Sequence, residues 1–247
     1  MAASTKVIGF LLALCLGLVH IFASRTHWVE RVPHRWWVSL AGGVSVAYIF
    51  LDIFPELGSA QTEVEHGSGF LIQYLENHVY LLALVGLALF YGLEKMASRS
   101  RAQRQKQHGR DDTHPGVFWI HIISFTLYNA ILGYLLREAE DHGLINCLLL
   151  FFALGLHFLV NDVSLREHHK QAYDHIGRWL LAAAIICGWV LGQAFHVNAA
   201  AIAVIWAPVA GGIILNVLKE ELPAEQESHF GIFATGATIY ALILLIM

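Results

Sequence analysis

The chain alternates between long stretches that are apolar on every side and short polar stretches that separate them. Eight apolar runs occur, at roughly 7–24, 36–56, 77–97, 116–136, 143–165, 177–196, 199–219 and 228–247. Crossing a hydrocarbon core of about 30 Å takes about 20 apolar residues at helical rise, and a helix satisfies every backbone amide within the segment. The pattern predicts an all-α polytopic membrane protein with eight transmembrane helices, forming a single transmembrane domain over 1–247. Lys6 ahead of a run that ends Phe22-Ala23-Ser24 also fits a cleaved signal peptide. That run is longer than the usual apolar region of about 7–15 residues, which favours a retained helix.

Composition agrees with a lipid environment: 57% of residues are hydrophobic and 14% charged, where soluble domains carry about 25% charged residues. The net charge of −4 is small and gives no reason to expect a nucleic-acid partner. The placement of the charges is more informative. Thirteen of the fifteen Lys and Arg residues fall in the first, third, fifth and seventh connections, leaving Lys6 and Arg137 on the other side. Cytoplasmic connections retain positive charge, so an even number of spans with both termini non-cytoplasmic accounts for the distribution, as in a multi-pass protein of the cell membrane.

Residues 98–115, SRSRAQRQKQHGRDDTHP, are polar and basic without apolar periodicity, which predicts a flexible cytoplasmic loop. His108 and His114 within it lack the spacing of a metal site. Cys15, Cys147 and Cys187 sit in apolar runs without CxxC spacing, so neither a disulfide framework nor a thiolate site is predicted.

The second and seventh runs resemble each other. Ala41-Gly42-Gly43 precedes a close at Asp52-Ile53-Phe54-Pro55, and Ala210-Gly211-Gly212 precedes a close at Glu220-Glu221-Leu222-Pro223. In the topology above the two helices run in opposite directions, which predicts an inverted repeat relating helices 1–3 to helices 6–8.

Ionisable groups within a membrane need a partner or a wet cavity. On the fifth helix His157 and Asn161 share a face at i, i+4, whereas Asp162 points about 140° away from His157. The fourth helix adds His121, Ser124, Tyr128 and Asn129, and the second adds Asp52 and Glu56. Hydrogen bonding between helices is the plainer role for such groups, and cation ligation is the functional one. Arg166 to Lys170, with Asp174 and His175, read as a solvated helical end, with a metal gathered by His168, His169 and His175 as the functional alternative.

The order of these features resembles the ZIP family of divalent-metal transporters, with eight helices, outside termini and a long connection between helices 3 and 4. Ala47 to Glu56 is similar to the family's F-L-H-L-L-P-E, Leu87 to Lys95 to its apolar run closing in L-E-K, and Val217 to Pro223 to its L-V-E-L-L-P. The family's metal ligands lie in patterns close to H-N-x-x-D-G and H-E-x-P-E-G on helices 4 and 5. Placed on Phe125 to Ala130, the first keeps neither His nor acid; in the second His157 matches, while Phe158, Val160 and Asn161 replace acid, proline and acid. The resemblance thus implies a diverged transporter of zinc or a similar divalent cation, with His157, Asn161, Asn129 and Asp52 as candidate ligands and no resident cofactor. The alternative is a transport-inactive relative that acts as a binding or interaction module. No HxxxH pair of the kind that membrane metal enzymes carry occurs within the runs, so no enzyme is expected. The expected partners are membrane lipid and the transported cation, with a second copy of the chain as a further candidate.

This topology is tested by single-cysteine labelling. A cysteine replacing Ser100, in a background lacking Cys15, Cys147 and Cys187, stays unreactive to an impermeant reagent on intact cells and reacts after permeabilisation.

Overall fold

The computed structural model describes residues 2–23, 34–66, 78–221 and 229–246. Every regular element among them is helical: α1 (Ala2–Phe22), α2 (His34–Tyr48), α3 (Phe54–His66), α4 (Val79–His108), α5 (Pro115–Asp141), α6 (Leu144–His169), α7 (Arg178–Ala194), α8 (Ala199–Asn216) and α9 (Phe230–Ile246). Wider π turns occupy Ile49–Ile53, Tyr173–Gly177 and Val217–Glu221. Six helical stretches are long and apolar enough to cross a bilayer, and Lys6–Phe22 and Phe230–Leu245 are shorter apolar helices. The protein is an all-α, multi-pass membrane protein.

Several boundaries differ from expectation. The second apolar run was expected to close at Pro55, yet the helix continues to His66. Proline lacks an N–H, and in an α-helix its ring collides with the carbonyl four residues back. Here the Phe54 N–H reaches the Ile49 carbonyl instead, one residue further than in an α-helix. The widened turn lets the chain pass through Pro55 without breaking.

Residues 98–108, expected as part of a flexible loop, continue α4. Ala, Arg, Gln and Lys are strong helix formers, and a helix already nucleated in lipid extends one bond per residue. Gly109, at φ 64, ends it, its N–H bonded to the Gln105 carbonyl at 3.1 Å; this left-handed cap suits glycine. The short link that follows is tied down. Arg101 pairs with Asp111 at 2.5 Å and with Glu167 at 2.9 Å, and the Arg101 guanidinium holds the exposed Asp111 carboxyl down to about 2. Pro115 then opens α5, where the His114 ring accepts from the Gly116 N–H at 3.2 Å.

By internal packing the chain divides into two compact units. One comprises residues 1–25 and 91–196, the other 26–90 and 197–247. In the first, α1, α5, α6 and α7 pack together; in the second, α2 pairs with α9 and α3 with α8.

Each unit is organised by glycines at which two backbones meet. A Cβ added at Gly133 of α5 would lie 2.1 Å from the Ile185 carbonyl oxygen, and one at Gly188 of α7 would lie 1.9 Å from that of Ala130. The second unit repeats the device twice. Gly43 of α2 abuts the Phe233 carbonyl and Gly236 of α9 that of Leu40; Gly86 of α4 abuts Pro208 and Gly211 of α8 abuts Ala83. In all three pairs each glycine meets the carbonyl three residues before its partner glycine.

A single offset along the sequence carries Gly43 to Gly211, Leu40 to Pro208 and the π turn Ile49–Ile53 onto Val217–Glu221. The same offset carries Asp52 to Glu220 and Pro55 to Pro223. The likeness between the two sequence stretches is therefore a likeness of conformation and of helix contact as well.

These crossings predict a contrast within α9. Gly236→Ala drives a methyl into the Leu40 carbonyl and lowers stability by about 1–3 kcal/mol, whereas Gly231→Ala, which meets nothing within 4 Å, leaves the unfolding temperature in detergent unchanged or raised. Equal effects would refute the role assigned to the crossing.

Candidate functional site

The inward faces of α5 and α6 carry polar groups at intervals of one or two turns. On α5 the buried residues include His121, Tyr128, Asn129, Arg137 and Glu140; on α6 they include His157, Asn161, Asp162 and His169. Alternation of these groups with Phe118, Phe125, Leu132, Leu154, Phe158 and Leu165 divides the polar atoms of the first unit into separate clusters.

At the centre, His20 of α1 meets Asp162 of α6 and Asn129 of α5. The His20 Nδ1 stands 2.9 and 3.0 Å from the two carboxylate oxygens, with side-chain exposures of 1% and 0%. Its Nε2 lies 2.9 Å from Asn129 Oδ1. The Asn129 amide is oriented by its own bond, Nδ2 donating to the Phe125 carbonyl at 2.8 Å. Because Oδ1 can only accept, His20 Nε2 is the donor. The Phe158 ring covers the imidazole at 4.4 Å between centroids.

Beside it, His157 Nε2 accepts from the Tyr128 hydroxyl at 2.7 Å and from Asn161 Nδ2 at 2.9 Å. Two donors on one nitrogen leave it unprotonated, with its lone pair engaged. A cation approaching Nε2 has to displace both. Near the α4–α5 link, His121 Nδ1 lies 2.9 Å from His169 Nε2, and His169 Nδ1 lies 2.6 Å from Thr113 Oγ1. His168 pairs with Glu94 at 2.6 Å. At the other end of α5 the Glu140 carboxylate accepts from Trp189 Nε1 at 2.5 Å and from Gln193 Nε2 at 3.4 Å.

The four residues singled out from sequence are thus distributed unevenly. His157 and Asn161 come together as their spacing implies. Asn129 is buried in the same unit but engages His20. Asp52 belongs to the second unit, where its carboxylate accepts from the Tyr240 hydroxyl at 2.9 Å. Among the described residues no group of three or more His, Cys, Asp or Glu side chains is placed to hold a metal ion.

Sequence reasoning missed His20 and the use of Asp162. Each is a titratable group in an apolar stretch, which is itself a signal that a partner exists. The identity of that partner, 142 residues away, is not encoded in any local spacing. Asp162 was correctly set on a different surface from His157, and that surface faces α1.

No family model matches the chain, and no curated protein matches it.

The His20–Asp162 contact predicts strong coupling. Asp162→Ala leaves His20 Nδ1 buried without its hydrogen-bond partner and costs about 1–3 kcal/mol. The double variant His20→Phe/Asp162→Leu loses less than the sum of the single changes, with a coupling of about 1–2 kcal/mol in thermal unfolding. Additive losses would show that the pair contributes nothing as a pair.

Proposed function

We propose that this chain is an eight-helix membrane transporter of a divalent cation, zinc or a similar ion, diverged from the ZIP plan and with both termini non-cytoplasmic. The observation that carries this reading is the burial of His20, Asn129, His157, Asn161 and Asp162 on three mainly apolar helices of one unit. Charged and amide groups are costly at this depth and are retained mainly where an ion, a proton or a substrate passes. His157 stands midway along α6, where a mid-membrane ligand belongs. Duplicated glycine crossings and π turns support an inverted repeat linking helices 1–3 to helices 6–8, the arrangement on which many secondary transporters alternate access.

In this reading a cation displaces the Tyr128 hydroxyl and the Asn161 amide from His157 Nε2. Asp162 is the only carboxylate in the central cluster, so it supplies the counter-charge that Asn129 and Asn161 lack. Such a site binds a dication more weakly than one built from several carboxylates, since hard and borderline ions depend on anionic ligands. A second reading, a transport-inactive relative serving as a binding module, draws on a specific observation: the His157 lone pair is already occupied by two donors.

Titration calorimetry on the full chain, paired with Zn²⁺ and Cd²⁺ uptake into reconstituted vesicles, separates the two. The transporter reading expects micromolar binding that His157→Ala abolishes and that Asn129→Asp with Asn161→Glu strengthens at least about tenfold, roughly 1.4 kcal/mol. Absence of both binding and uptake replaces it with the inactive reading.

A further inference from the structure

Helix α4 changes character along its length, from the apolar stretch beginning at Val79 to a polar extension ending at His108. At the change lies a groove of about 740 Å³ between α4 and the start of α5. Its apolar part is lined by Tyr91, Met96 and Val117, and its basic part by Lys95, Arg99 and Arg104; no Asp or Glu lines it. Tyr91, Lys95 and Arg99 follow one another at i, i+4, i+8, so they form a single stripe on the helix.

The ion pairs at this end of the unit make the groove electrostatically one-sided. Asp111 is engaged by Arg101 and Lys170, Glu167 by Arg101, and Asp112 by Arg104 and Arg110. Glu94, on α4 itself, is held by His168. Every one of these carboxylates is therefore paired away from Lys95 and Arg99, both exposed, which enter none of the ion pairs among the described residues. The Lys95 ammonium instead rests over the Tyr91 ring, 5.4 Å from its centroid.

An apolar wall grading into a carboxylate-free basic wall, where a membrane helix leaves its apolar stretch, matches a molecule with an acyl part and an anionic head. Basic pockets of this kind between membrane helices hold phosphate headgroups. We propose that this groove binds an anionic phospholipid, with Lys95 and Arg99 on the headgroup phosphate and Tyr91, Met96 and Val117 against the acyl-chain end. Lys95 and Arg99 reach the headgroup with their aliphatic stems along the apolar wall, as such side chains do at an interface. Arg104, already paired with Asp112, sets the outer limit of the site.

This assignment goes beyond transport and needs only that the chain lies in a bilayer. It is tested by native mass spectrometry of the full chain in detergent, titrated with phosphatidylglycerol, with phosphatidylcholine, and with inorganic phosphate as competitor. Phosphatidylglycerol is retained in preference to phosphatidylcholine, and millimolar inorganic phosphate does not displace it. The double variant Lys95→Gln/Arg99→Gln weakens retention about 25-fold, about five-fold for each cation lost. Lys106→Gln/Arg110→Gln removes the same charge outside the groove and changes retention by less than about two-fold. Lys95→Arg/Arg99→Lys keeps the charge and keeps the lipid. Equal retention of the two lipids, equal loss in the two Gln pairs, or loss in the charge-keeping pair overturns the proposal. Displacement by inorganic phosphate also overturns it and reassigns the groove to a soluble anion.

Discussion

Helices in a bilayer gain little from hiding apolar side chains from one another, because lipid tails are equally apolar. Association depends on close contact and on polar groups that find partners. In this protein close contact is concentrated at three glycine pairs, Gly133 with Gly188, Gly43 with Gly236, and Gly86 with Gly211. At each, the Cα of one helix sits where a Cβ would overlap the other helix's carbonyl. Such an approach also permits weak Cα–H···O contacts in both directions. The rest of each unit is arranged around these points, since two helices touching at the backbone have little freedom in where their neighbouring side chains fall.

The crossing of α5 and α7 at Gly133 and Gly188 fixes α5, and so determines which of its side chains turn inward. His121, Tyr128 and Asn129 then meet α6 and α1 instead of lipid. The polar clusters tie together helices far apart in sequence: His20 links α1 to α5 and α6, Tyr128 links α5 to His157, and Trp189 links α7 to Glu140. Each cluster is joined by its own hydrogen bonds, and aromatic residues such as Phe125 and Phe158 stand between them. The same buried polar groups that tie α1, α5, α6 and α7 together are the ones on which the proposed cation site rests.

The π turns at Ile49–Ile53 and Val217–Glu221 show how a local defect can be structural. Both lie shortly before a proline, and the one at Ile49–Ile53 carries Asp52 toward Tyr240 while allowing the helix to run on. The extra residue in the turn rotates the faces on either side of it. A wheel drawn from α-helical spacing across residues 36–66 misplaces everything beyond Phe54 for that reason. Ions at the α4–α5 link follow a similar logic of position: Arg101, Asp111 and Glu167 anchor the link on one face of the basic helix, leaving Lys95 and Arg99 on the other.

The sequence by itself determined that the chain is helical and lies in lipid, because unbroken apolar runs of about 20 residues admit no other backbone arrangement there. It also revealed the kinship of residues 41–55 and 210–223, since glycine and proline leave a trace in sequence wherever backbones approach closely or a helix deviates. It placed His157 with Asn161 through the i, i+4 rule, which is local. Other features depended on tertiary structure. The continuation of helices through Pro55 and Arg99 was one, decided by a widened turn and by nucleation from within the membrane. The division into two compact units was another. The pairing of His20 with Asp162 and Asn129 was a third, because complementarity between side chains on helices α1, α5 and α6 exists only once the glycine crossings have set the helices at fixed distance and rotation. Helical spacing encodes which groups share a face, and packing alone decides what that face meets.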